Sequence, residues 1–378
     1  MKEKDNKKGL SVAIIVGIIV LLLVAIGDIV VNYVPLKEIF SKNVKYVTEK
    51  EVTVTDTGIR DAVSKLYNAS VIVEVGSTKD KLSGWGSGFV YKKDSKYGYI
   101  FTNHHVVEGA KYIKIVLADE SEVAGELVGS DEYADVAVVK IPADKVISVA
   151  EIGKSKDVLV GDTIFAIGTP VSLEYSFTVT RGILSGKNRM VEMTSSSKGS
   201  SIFQTSGDSW YMNLLQIDAS INSGNSGGPL ANSNGQVIGI TNSKLSSSTM
   251  SGTSIENIGF AIPIEDALAV AEYLESNGKV TRPVLGVTMT SVEGAEYNGV
   301  TISDKITSGA VVTDVSSGST ADDAKLKKGD VITKLDDYNI KDYKYLKYYL
   351  YRYRVGDKVK ITYIRGDKEK TVEVTLKN

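Results

Sequence analysis

From Ser70 to Thr241 the sequence is broken into short Val- and Ile-rich segments by Gly, Asp and Ser turns. These are Ser70–Val75, Gly86–Lys92, Tyr99–Thr102, Tyr112–Leu117, Glu122–Gly129, Val136–Ile141, Thr163–Ile167 and Gly235–Thr241. Short segments with turns at such spacing predict an all-β barrel or sandwich. Two stretches interrupt the pattern. Gly186 to Trp210, rich in Ser, Gly, Lys and Met, reads as a long mobile loop, and Ser243 to Glu256, rich in Ser and Thr, as a second loop. Helical spacing flanks the β region, with Ile59, Val63 and Leu66 in Gly58–Tyr67, and Ile264, Ala267, Leu268, Ala271 and Leu274 in Ile264–Ser276.

Gly278 and Pro283 end the second helix and mark a domain boundary, so residues 58–278 read as one domain and 284–378 as another. The later domain is a smaller α/β unit. Its strands are predicted near Val284–Thr288, Ala310–Val315, Asp330–Leu335, Lys358–Tyr363 and Thr371–Leu376, with a helix near Tyr343–Arg352. Leu346 and Leu350, four apart on that helix, either fill its core or line a groove, with the core favoured, and the crowded tyrosines (Tyr343, Tyr345, Tyr348, Tyr349, Tyr351, Tyr353) read as decoration of an amphipathic helix ahead of an aromatic binding face.

The N-terminus has its own logic. Residues 1–9 are lysine-rich, and residues 10–31 are nearly continuous Val, Ile, Leu and Ala, long enough to cross a bilayer as a helix. The basic flank predicts a cytoplasmic tail, with everything after Val31 outside. A cleaved signal peptide would carry a shorter apolar core and a small-x-small site, which Ala25-Ile26-Gly27 does not supply. An uncleaved anchor is therefore expected, followed by a polar stalk over residues 32–57.

Composition narrows the chemistry. A formal net charge of −2, without a long basic block, argues against a nucleic-acid binder. The absence of cysteine excludes disulfides, a thiol nucleophile and thiolate metal sites. Histidine occurs twice, at His104 and His105, so any histidine chemistry must use this pair, and a multi-histidine zinc site is not expected.

Three motifs bear on chemistry. Asp218-Ala-Ser-Ile-Asn-Ser-Gly-Asn-Ser-Gly-Gly-Pro-Leu230 sets Ser226 among glycines, where the backbone can turn sharply and aim N–H groups at a developing oxyanion. Thr102-Asn103-His104-His105-Val106-Val107 follows a β segment, and neighbours on a strand end point to opposite sides, so at most one histidine faces a given site. Ser130 to Val139 puts Asp135 at the mouth of an apolar strand, where a carboxylate can hold a histidine Nδ1–H and turn Nε2 toward a serine hydroxyl. Singly, each has a plain structural reading: a Gly-rich loop, a surface histidine, a turn cap. Coincidence is hard to sustain for all three in the order His, Asp, Ser.

Together these motifs resemble the HtrA family of serine endopeptidases. Gly86-Ser87-Gly88-Phe89, Thr102–Val107, Ala134–Val138, Val179–Ser185, Asn222–Leu230 and Gly259-Phe260-Ala261-Ile262-Pro263 resemble its blocks in the family order, over a region from about Ser70 to the C-terminus. The resemblance implies a mainly β chain, with a chymotrypsin-like double β-barrel followed by a PDZ domain and, here, an N-terminal transmembrane helix before them. It implies His105, Asp135 and Ser226 as catalytic residues and the N–H groups of Gly224 and Ser226 as the oxyanion hole. A pocket for small or medium aliphatic residues follows, with Ser220 where trypsin-like enzymes carry an acid and Ile221 beside it. Ser223 stands where relatives commonly have proline.

Leu285-Gly286-Val287 resembles the carboxylate-binding loop of PDZ domains, which receives a peptide C-terminus by strand addition. The resemblance further implies a homotrimer or a larger assembly, with unfolded or misfolded proteins as substrates. Nothing in the sequence calls for a metal or organic cofactor, the charge argues against a nucleic-acid partner, and the lysine-rich tail, single span and lack of cysteine fit a protein of the bacterial cell membrane. The expected function is an ATP-independent envelope protease that degrades damaged exported proteins. Two alternatives stand beside it: a non-catalytic PDZ-bearing chaperone or stress sensor on the same fold, and a processing enzyme for one membrane substrate.

Overall fold

The computed structural model describes residues 14–25, 56–194, 209–243 and 257–378. Residues 1–55 and 56–378 are separate units. Within the first, residues 14–25 are helical and exposed, while the rest of the expected 10–31 span and the stalk up to residue 55 lie outside the described residues. Among the described residues no helix is long and apolar enough to cross a membrane.

The second unit opens with helix α1 (Asp56–Tyr67), which buries Ala62 and Leu66. Strands β1 (Ser70–Thr78), β2 (Lys81–Lys93) and β3 (Tyr97–Thr102) follow, then the single helical turn α2 (His104–Val107). With β4 (Tyr112–Val116), β5 (Glu122–Asp131) and β6 (Val136–Pro142) they close a barrel in the order β1-β2-β3-β6-β5-β4. A second closed barrel, β10-β11-β12-β9-β8-β7, is built from β7 (Thr163–Gly168), β8 (Thr178–Thr194), β9 (Ser209–Ile217), β10 (Pro229–Asn232), β11 (Val237–Asn242) and β12 (Gly259–Pro263). Closure removes the sheet edges that short strands would otherwise leave exposed. Phe89 and Phe101 from the first barrel and Phe165, Leu214 and Ile262 from the second share one buried cluster, joined by Ile264, Ala267, Ala271 and Leu274 of helix α3 (Ile264–Asn277).

The stretch Gly186–Trp210, expected as one loop, is in part a hairpin. β8 runs to Thr194 and β9 starts at Ser209, with Met193 opposite Trp210 and both buried. A strand partner supplies the order that the local composition does not. Residues 195–208 lie outside the described residues, as does 244–256 of the second expected loop.

After α3 comes a sheet in the order β13-β14-β15-β17-β18: β13 (Val287–Thr290), β14 (Ala310–Val315), β15 (Val331–Leu335), β17 (Lys358–Arg365) and β18 (Lys368–Thr375). The short β16 (Tyr338–Asn339) pairs with β15. Two helices complete this domain, α4 (Thr320–Asp323) and α5 (Tyr343–Leu350), the latter capped by Asp342, whose carboxylate accepts from Lys344 N–H and Tyr345 N–H. Leu346 and Leu350 are buried in its core. Several α5-region tyrosines are more than decoration. Tyr343 packs edge-on to Tyr211 of the second barrel, Tyr348 donates to Asp266 of α3 at 2.7 Å, and Tyr351 packs on Tyr133.

Candidate active site

Beside the apolar cluster that joins the barrels, two glycines shape the loop that holds Ser226. Gly224 and Gly227 have φ of +97° and +88°, and a Cβ on either would stand 2.1–2.2 Å from a neighbouring carbonyl, that of Thr169 or Ser87. Only glycine fits both the conformation and the space. Between them Ser226 is held by its backbone: Ser87 N–H donates to its carbonyl at 2.8 Å, and Gly227 N–H donates to Thr241 of β11 at 3.0 Å. Thr241 Oγ1 in turn donates to Asn225 O at 2.6 Å. Neither Gly224 N–H nor Ser226 N–H has an acceptor among the described residues.

The chain does not leave β3 as an extended strand end, so the expected alternation of His104 and His105 does not apply. It winds into α2, because Val106 and Val107 turn inward to the first barrel's core and Val106 N–H closes on Asn103 O. The two imidazoles still part company. His104 Nδ1 shares a hydrogen bond with Ser130 Oγ at 2.9 Å, whereas His105 Nδ1 lies 2.8 Å from Asp135 Oδ2.

Asp135 is buried and sits in the left-handed region, with φ of +50°. That conformation costs a non-glycine residue about 1–2 kcal/mol, and local bonds offset it. Its carbonyl accepts from Asn103 Nδ2 at 2.7 Å, and its Oδ1 accepts from His105 N–H at 3.0 Å. Oδ2 accepts from His105 Nδ1–H and from Asn242 Nδ2, the latter at 2.7 Å. A carboxylate taking the Nδ1 proton fixes the tautomer that leaves Nε2 as the basic nitrogen.

Ser226 Oγ is 2.5 Å from Ser243 Oγ and accepts from Ser243 N–H at 3.1 Å. Among the described residues its hydroxyl is not hydrogen-bonded to His105. Ser220 is exposed, and its carbonyl accepts weakly from Asn225 Nδ2 at 3.4 Å. Ile221 is buried, and its Cγ1 lies 3.0 Å from the place a Cβ on Gly259 would occupy.

Three further residues, Ser87, Asn242 and Ser243, contribute to the site from outside the three motifs. Ser87 Oγ donates to Gly224 O at 2.7 Å and accepts from Thr169 N–H at 3.0 Å, so one side chain of the first barrel ties down the Gly224 loop. Asn242 and Ser243, consecutive at the end of β11, reach Asp135 and Ser226 respectively. Ser87 sits inside a quoted glycine motif, and Asn242 is a buried amide ending an apolar strand, which by itself demands a polar partner.

In the second domain, the carbonyls of Leu285 and Gly286 are taken by Ala321 N–H and Ser316 N–H, both at 2.9 Å. The N–H groups of Leu285 and Gly286 have no acceptor among the described residues. Val287 begins β13, the edge strand of its sheet.

Residues 86–240 match the trypsin-like peptidase domain family, and residues 283–376 match the PDZ domain family. The chain is 39% identical over 299 residues to the serine protease Do-like HtrA of Lactococcus lactis subsp. lactis (strain IL1403), covering 78% of this chain and 71% of that protein. It is 40% identical over 307 residues to the serine protease Do-like HtrA of Bacillus subtilis (strain 168), covering 79% of this chain and 65% of that protein. Among solved structures, the HtrA-type protease AlgW with tripeptide superposes with a TM-score of 0.65 at 31% identity, covering 84% of this chain and 96% of that one. A serine endoprotease from Yersinia pestis gives 0.60 at 29% identity, covering 88% and 99%. With a trypsin-like barrel pair, a PDZ sheet behind it and 39% identity across 71% of a relative, the chain belongs to the HtrA family of serine proteases.

Proposed function

We propose that this protein is a membrane-anchored endopeptidase of the bacterial cell envelope that degrades misfolded or damaged exported proteins through Ser226, His105 and Asp135. The observation that carries the reading is the 2.8 Å contact of His105 Nδ1 with Asp135, beside a glycine-flanked serine and two N–H groups without acceptors among the described residues.

In this mechanism Ser226 Oγ attacks the scissile carbonyl carbon while His105 Nε2 takes its proton. The oxyanion is received by Gly224 N–H and Ser226 N–H, each donor contributing about 2.7–4 kcal/mol to lowering the barrier. His105 then returns the proton to the departing amine, and water repeats the sequence to free the enzyme. Asp135 stays ionised and supports the imidazolium. Ser220 offers no charge to a basic side chain, and Ile221 supports a small or medium aliphatic preference.

The PDZ domain binds peptide C-termini in this reading, with Leu285, Gly286 and Val287 receiving the carboxylate and β13 pairing with the peptide. Residues 10–31 anchor the chain with residues 1–9 in the cytoplasm, and the protease domains associate as a trimer. The test is hydrolysis of unfolded casein by the full chain in detergent micelles, with and without peptides bearing hydrophobic C-termini, beside Ser226→Ala. Cleavage by the wild type and not by the variant is expected. No cleavage under any of these conditions by a folded, trimeric protein would favour the non-catalytic chaperone or sensor.

A further inference from the structure

The geometry points to Ser243 as a positioning residue that holds the nucleophile off-line in the unliganded enzyme, an inference that rests on the triad reading above. Ser226 Oγ accepts from Ser243 N–H at 3.1 Å and lies 2.5 Å from Ser243 Oγ. A hydroxyl has one proton to give. With the N–H occupying one lone pair, the oxygen within reach of the Ser226 proton, among the described residues, is Ser243 Oγ. His105, whose Nδ1 side is fixed by Asp135, has no hydrogen bond to Ser226.

The rest of the loop is already set for reaction. The Ser226 carbonyl is held by Ser87 N–H, and Gly227 N–H by Thr241 O. The oxyanion N–H groups have no acceptor among the described residues. In this reading the direction of the Ser226 side chain separates this state from a reactive one. To react, the same hydroxyl has to leave Ser243 and turn about the Ser226 Cα–Cβ bond toward His105.

Two hydrogen bonds favour the off-line well, and one of them depends on the Ser243 side chain. Deleting a neutral hydrogen bond from one of two interconverting states shifts their ratio by roughly five-fold. Ser243 thus lowers the reactivity of the empty enzyme, and an extended substrate has to displace it. Because Ser243 directly follows the strand that presents Asn242 to Asp135, the brake and the support of the triad arrive from adjacent residues.

The test measures the second-order rate at which a fluorophosphonate labels full-length protein in micelles. The reagent forms an Oγ–phosphorus bond at serine and releases fluoride, while the serine proton passes to His105. Ser243→Ala should be labelled roughly five-fold faster than wild type, and Ser243→Thr, which keeps the hydroxyl, should return to the wild-type rate. In a His105→Ala background the alanine substitution at 243 should give no gain, a result that a merely structural role for Ser243 would not produce. Equal or slower labelling of Ser243→Ala, with Ser226 the labelled residue, overturns this inference and leaves the triad standing. If Ser226→Ala is labelled as fast as wild type, or if neither is labelled, the triad reading falls and this inference with it.

Discussion

Arg282 pairs with Asp131. The guanidinium of the connector between α3 and the PDZ sheet is bound to the carboxylate that ends β5, on the segment leading into Asp135. The side chains are only 10% and 3% exposed. The same guanidinium donates to the Tyr351 carbonyl and lies between the rings of Tyr133 and Tyr351, 5.7 and 5.4 Å from their centroids. One cation therefore fastens the end of the PDZ helix to β5, the strand that leads into the turn holding Asp135.

Removing one partner of a buried ion pair leaves an uncompensated charge, a loss of about 3–5 kcal/mol. Arg282→Ala should lower unfolding stability by that order in urea titrations, and Arg282→Lys should recover only part of it, because an ammonium lacks the planar fork. A loss below about 1 kcal/mol would contradict the clamp.

Asn242→Ala removes a donor from the Asp135 carboxylate. Hydrogen bonds to charged groups contribute about 1.5–3 kcal/mol, so kcat on an unfolded substrate should fall by roughly ten- to a hundred-fold. KM should change little, since Asn242 touches Asp135 and not the pocket. A raised KM with unchanged kcat would assign the residue to substrate binding instead.

Ser87→Ala should loosen the Gly224–Ser226 loop from the first barrel's side. It strands the Gly224 carbonyl and Thr169 N–H, two groups with direct bonds to Ser87 Oγ. The expected loss is about 1–3 kcal/mol of stability by denaturant titration. A fall in kcat should accompany it, and a loss of stability with full kcat would separate the loop from catalysis.

The turn joining β2 and β3 is built to titrate at both ends of the pH scale. Asp94 accepts from Lys96 N–H at 2.7 Å and Tyr97 N–H at 2.8 Å, and these bonds, with Tyr99 OH at 2.9 Å, hold its carboxyl below the usual range. Burial, and then the bond to Asp94, pushes the Tyr99 hydroxyl up to about 12. A lowered carboxyl contributes stability above its unfolded value and loses it as pH falls through the folded one. A raised hydroxyl contributes below about 10 and loses it as pH rises toward 12. Amide exchange at Tyr97 should therefore quicken below the carboxylate range and again above about pH 10 relative to a neighbouring strand amide. Ultraviolet titration that places Tyr99 at an ordinary tyrosine value would refute the upper limb.

The parts that were legible in the sequence are those with local signals. Val136–Val139 announces a buried strand by composition, and glycines on both sides of Ser226 announce a sharp turn. β8 and β9 were hidden because their order is non-local: Arg189, Met190 and Met193 are strand residues only because Leu214, Asn213 and Trp210 lie across from them. The approach of His105 to Asp135 could be anticipated from motif order, whereas Ser87, Asn242 and Ser243 are lone polar residues whose partners come from another barrel or loop. Tyr343, Tyr348 and Tyr351 failed as a pattern for a related reason. Helical spacing shows which residues share a face, and what that face meets depends on Tyr211, Asp266 and Tyr133 from distant segments.

The end of β11 also acts as a ruler one residue long. Asn242 measures to Asp135 and Ser243 to Ser226, and the pairing of Gly239–Asn242 with Phe260–Pro263 sets the zero. Since side chains alternate along a strand, a slip of one residue would miss both targets at once. Insertions after Ser243 leave that measurement intact, whereas a single insertion before Asn242 would remove it.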